Sequence, residues 1–89
     1  MKKLTAEEQR IYQIIMMDIR ADWRVLIEYV NGRNNALTSA EWDSEDYGAD
    51  IEYITIRTLY RTLRSIFGID TNEMQERLSN YRNYGRCVK

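Results

Sequence analysis

"DYGADIEYITIRTLYRTLRSIFG", residues 46–68, decides the architecture. Ile56, Leu59, Tyr60, Leu63, Ile66 and Phe67 recur at steps of three and four, with Tyr53 at the edge of the stripe. Residues so spaced share one face of an α-helix. No sustained strand-type alternation appears here or elsewhere in the chain. Gly68 supplies a left-handed stop. Upstream, Gly48 predicts a break, and the Asp50 carboxylate suits the cap of a new helix. The stretch therefore reads as a helix over about 50–67.

Working outward, Thr38 and Glu41 have the spacing of a capping box, and Leu37 and Trp42 occupy the positions of a hydrophobic staple. They predict a short helix over about 38–47 behind a loop at 32–36. Further upstream, Thr5 and Glu8 form another capping-box pair, with Glu7 and Glu8 at the positive end of the helix dipole. A long helix follows to about residue 31, where Asn31-Gly32 predicts its end. Its inner stripe is Tyr12, Ile15, Met16, Ile19, Trp23, Leu26, Ile27 and Val30. Ile14, Met17 and Val25 fall outside that stripe, which points to a second contact. Downstream, Asp70 with Glu73 and Ile69 with Met74 predict a last helix over about 70–84. Its inner residues are Met74, Leu78 and Tyr81, its stop is Gly85, and a frayed tail covers 85–89. The expected fold is all-α: a compact antiparallel helical bundle of three main helices plus one short helix, in a single domain over 1–89.

Composition narrows the function classes. The chain has 89 residues, 44% of them hydrophobic and 30% charged, as suits one small soluble domain. No apolar run approaches a membrane span and no signal-peptide pattern follows Met1, so a cytoplasmic protein without membrane contact is expected. Histidine is absent, which removes the usual general base near neutral pH and the commonest metal ligand. The single cysteine, Cys87, makes no intramolecular disulfide and reads as an inert tail residue. There is no phosphate loop, nucleophile motif or metal-ligand spacing. Asp43 with Gly48 starts like a calcium loop, but Tyr47 and Ile54 stand at ligand positions and break the pattern. Asp18 and Asp22, near Arg20 and Arg24, read as a surface charge mosaic. No catalytic residue, metal or cofactor is expected.

The net charge of −1 conceals an uneven distribution. Residues 35–52 hold six acids and no base, and residues 53–89 hold seven bases against three acids. Glu41, Asp43, Glu45 and Asp46, interleaved with Trp42 and Tyr47, make an acidic segment suited to a basic protein partner, although dipole-favoured acids at helix starts explain much of it. Arg57, Arg61 and Arg64 form a ridge beside the apolar stripe, next to Thr55, Thr58, Thr62 and Ser65. With Arg77 and Arg82 they could contact nucleic-acid phosphates. The nearly neutral chain favours instead their pairing with the acids of 41–52.

The sequence thus leads to a non-catalytic interaction protein: a regulator, adaptor or inhibitor of the kind that phages and other mobile elements also encode. Its expected partner is another protein, bound through Ile14, Met17, Val25 and the acidic segment, with self-association into a homo-oligomer. The alternatives are a nucleic-acid-binding regulator using the arginine ridge, and a structural subunit of a homo-oligomer.

Overall fold

The computed structural model describes residues 3–84. Three helices account for its secondary structure: α1 over Ala6–Asn34, α2 over Ser39–Phe67 and α3 over Asn72–Arg82. The expectations for Gly85, the tail and Cys87 lie outside the described residues.

Helix α1 starts as its sequence requires. The Thr5 hydroxyl accepts from the Glu8 amide, and the Glu8 carboxylate accepts from the Thr5 amide. Its end differs from expectation. Asn31-Gly32 does not stop the helix, which runs one turn further because Arg33 is fully buried and anchored by acceptors from the other two helices.

The larger correction concerns Gly48. The two helices expected over 38–47 and 50–67 are one helix, α2. Asp50 is not a cap; its carboxylate accepts from Arg82. The inward stripe passes through the glycine without interruption, from Trp42 through Ala49 and Ile56 to Phe67. Gly48 is there to admit the Tyr29 ring, which occupies the space a Cβ would take. A mid-helix glycine costs about 1 kcal/mol relative to alanine, and the close approach of α1 offsets it. At the start of α2 the Thr38 hydroxyl accepts from the Glu41 amide, while the Glu41 carboxylate accepts from the Leu37 amide. Leu37 itself is 91% exposed, so the expected staple does not form. Gly68, at φ 66°, ends the helix in the left-handed conformation.

Contacts between α1 and α2 follow in reverse order along the two helices. Tyr12 meets Phe67 edge-on, Trp23 donates its indole N–H to the Tyr60 hydroxyl at 2.8 Å, Tyr29 lies on Gly48, and Arg33 reaches Asp46. Ile19, Leu26, Val30, Ile56, Leu63 and Leu78 are buried between the helices. Ile27 and Ile66, expected in this core, are exposed at the flanks, and Leu59 is only half-buried. Helix α3 is shorter than the expected 70–84. It begins after the buried Thr71, and Asp70 accepts from the Asn72 amide just before it.

The molecule is a three-helix assembly of 50 × 20 × 13 Å. Its radius of gyration, 15.2 Å, exceeds the roughly 12 Å typical of a globular chain this long. The expected compact shape is therefore replaced by an elongated one, because two helices of 29 residues set the length and α3 has only 11.

The Gly48 contact has a measurable consequence. Gly48→Ala should destabilise the protein by about 1–2 kcal/mol in urea unfolding, because overpacking against Tyr29 outweighs alanine's helix propensity. In a Tyr29→Ala background the same change should stabilise by up to about 1 kcal/mol. Stabilisation in both backgrounds would show that the ring moves aside freely.

Candidate interaction surfaces

One flank of the α1/α2 pair is covered by α3, and the chemistry of that cover is specific. Leu78 is fully buried in the core. One turn later Arg82 donates to Asp50 at 2.6 and 2.9 Å and approaches Asp46 at 3.5 Å. Arg33 donates to Asp46 at 3.0 Å, to the Arg82 carbonyl at 2.9 Å and to the Tyr84 carbonyl, and its guanidinium lies 5.8 Å from the Trp42 ring. Tyr81 packs edge-on against Trp23. Two arginines and two aspartates therefore clamp the ends of all three helices together.

Among the described residues, the opposite flank has no such cover. On α1, Ile11, Ile14, Asp18, Asp22 and Val25 step by three and four residues, placing them on one ridge. On α2, Glu52, Thr55, Leu59, Thr62 and Ile66 do the same. The ridges lie side by side, since Tyr29 seats on Gly48 and the Asp22 charge acts on Glu52. Ile11, Ile14 and Ile66 are 44%, 54% and 55% exposed. Neither ridge carries a lysine or arginine.

Like charges meet in the middle of this face. Burial raises the Asp22 carboxyl above its ordinary value, and neighbouring Asp18 adds to the shift. Burial also raises Glu52, with Asp22 adding to it, and Glu52 Oε2 is enclosed without a hydrogen-bond partner. Both groups hold protons more readily in the folded chain than in the unfolded chain. Their contribution to stability is therefore complete below the ordinary values of 3.8 and 4.5 and is lost as pH rises through the raised ones. Asp22→Asn and Glu52→Gln should each be more stable than wild type at pH 7, with the advantage vanishing below about pH 4. Thermal unfolding across pH reads this directly; an advantage that grows with acidity would contradict the assignment.

The arginine ridge differs from expectation. Among the described residues, the guanidiniums that reach the acids of 41–52 are Arg33 and Arg82, not Arg57, Arg61 and Arg64. Arg57 lies 5.3 Å from the Tyr53 ring, and its Nε is enclosed without a partner. Arg61 and Arg64 are exposed. Arg82 points inward, and Arg77 is exposed beside Glu73 at 3.6 Å, so these two do not extend the ridge. The hydroxyls of Thr55, Thr58 and Thr62 donate to the carbonyls four residues earlier, at 2.8–3.0 Å, which leaves their methyl groups outward.

The residues proposed for protein contact separate in space. Ile14 and the half-buried Val25 join the open flank, and Met17, 64% exposed, stands just beyond it. Asp46 is engaged inward, Trp42 lies beside Arg33, and Glu45 rests against Gly32. Glu41 belongs to the start of α2, and Asp43 is exposed. Tyr47, 71% exposed, sits with Ile51 and Ile54 on the outer side of α2. Sequence reasoning missed Arg33, Asp22 and Glu52. The available signal was their position within one step of the apolar stripe, where a charged side chain is drawn into helix contacts.

Among the described residues no helix is long and apolar enough to cross a membrane, and no group of three or more potential ligands could hold a metal ion. No family model matches the chain, and neither the curated proteins nor the solved structures contain a match.

Proposed function

We propose that this protein is a non-catalytic interaction protein that docks another protein on the open flank of α1 and α2. It would act as a small regulator, adaptor or inhibitor of the kind phages and mobile elements encode. The observation that supports this most is the pair of uncovered ridges, stepped by three and four residues, on which Ile11, Ile14 and Ile66 stand exposed. An exposed apolar patch of this kind marks an interaction site. Nucleic-acid binding draws less support. The threonine hydroxyls beside the arginine ridge are already bonded to backbone carbonyls, and Arg82 is turned inward.

Self-association is a second reading, favoured by Tyr47, Ile51 and Ile54 on the outer side of α2, where the threonine methyls widen the apolar strip. The open flank suits it poorly, because a symmetric pairing there would set Asp18, Asp22 and Glu52 against their own copies.

Co-purification from the native host should recover a protein with wild type and with the Arg57/Arg61/Arg64→Gln variant, and lose it with Ile14→Glu/Ile66→Glu. Loss on the arginine variant alone, together with salt-sensitive retention of DNA or RNA on filters by wild type, would replace this reading with nucleic-acid binding. Sedimentation of wild type beside Ile51→Glu/Ile54→Glu tests the self-association surface.

A further inference from the structure

The two flanks of the α1/α2 pair pose the same chemical problem, and on one of them the fold displays its solution. There, two carboxylates beside buried apolar residues are met by a helix that inserts Leu78 and, one turn later, presents Arg82 to Asp46 and Asp50. On the other flank, the partly buried Asp22 and Glu52 share their ridges with the half-buried Val25 and Leu59, and Ile11, Ile14 and Ile66 continue the apolar surface toward one end.

We infer that the open flank receives an amphipathic helix of a partner protein that carries an arginine or lysine one turn from an apolar anchor, set against Asp22 and Glu52. The inference rests on the docking role proposed above and adds the chemistry of the occupant. Three observations carry it. Charge is one: the two ridges hold Asp18, Asp22 and Glu52 and no base, so a cationic stripe complements them and the same face of a second copy does not. Shape is another: Ile11 to Val25 spans about 21 Å, the length of a four-turn helix, and the two parallel ridges leave a strip along which such a helix can lie. The third is desolvation. Among the described residues the partly enclosed Asp22 and Glu52 have no counter-ion and repel each other, so an arriving guanidinium or ammonium would relieve a repulsion already present.

The probe is a displayed library of helical peptides about 16 residues long, with leucine anchors at heptad spacing and the residue one turn after each anchor randomised. The full-length protein selects from it. Enriched peptides are then measured against wild type, Asp22→Asn/Glu52→Gln and Ile14→Glu/Ile66→Glu, each shown to be folded by circular dichroism. The expected result is enrichment of arginine and lysine at the randomised positions. Affinity should drop at least about tenfold on neutralising Asp22 and Glu52, weaken with added salt, and vanish with Ile14→Glu/Ile66→Glu. Enriched peptides that are neutral or acidic there, and indifferent to Asp22→Asn/Glu52→Gln, would overturn the cationic chemistry while leaving the docking surface standing. Peptides indifferent to Ile14→Glu/Ile66→Glu, or no enrichment at all, would overturn the docking surface itself.

Discussion

Arg33→Ala should lower the unfolding free energy by about 3–5 kcal/mol, the cost of removing one partner from a buried ion pair. The Arg33 side chain is fully enclosed, and Asp46, its ion-pair partner, is itself only 16% exposed. Truncation removes donors to Asp46 and to the carbonyls of Arg82 and Tyr84 at one stroke. The Arg82 carbonyl is then left in a buried site, where an unmet hydrogen bond is costly. The guanidinium also packs beside Trp42, so the variant leaves a void. Arg33→Lys should recover part of the loss, since an ammonium keeps the charge and lacks the planar fork that reaches several acceptors. By contrast Arg77→Ala, removing an exposed guanidinium 3.6 Å from an exposed carboxylate, should change stability by less than about 0.5 kcal/mol. Urea unfolding of the three variants checks the ranking. A loss under about 1 kcal/mol for Arg33→Ala would mean that water replaces its hydrogen bonds.

Leu63→Ala should cost about 2–5 kcal/mol, from lost burial together with the cavity left behind. Leu63 is fully buried in the stripe that includes Ile56, Tyr60 and Phe67. Leu59→Ala should cost less, about 1–2 kcal/mol, because Leu59 lies half-buried at the edge of the open flank. The two leucines stand four residues apart on one helix, Leu63 within the buried stripe and Leu59 at its edge. Equal losses would mean that the open flank is already filled, for example by a second copy, and sedimentation equilibrium would then detect it.

Part of this structure was legible in the sequence because the signals are local. Thr5 with Glu8 starts α1, Thr38 starts α2, and Gly68 ends it, all through hydrogen bonds or dihedral angles spanning a few residues. The periodicity of Ile56, Tyr60, Leu63 and Phe67 identified the inner stripe for the same reason: a helix repeats every 3.6 residues whatever it packs against. Ile14 and Met17, off the inner stripe in the sequence, stand outside the core and are exposed.

Tertiary structure alone decided the rest. Gly48 and Gly32 have the same local meaning as Gly68, yet the first two lie within helices because a neighbouring side chain occupies the space beside each. The preference of a glycine for breaking a helix is worth only about 1 kcal/mol, and contacts with residues far along the chain outweigh it. Pairing of charges was likewise beyond local reading. Arg33 is 13 residues from Asp46, and Arg82 is 32 from Asp50, whereas Arg57 lies closer in sequence to the same acids and points elsewhere. Which acids remain without a base was therefore set by the flank on which α3 came to rest: there Asp46 and Asp50 gained arginines, and on the opposite side Asp22 and Glu52 did not.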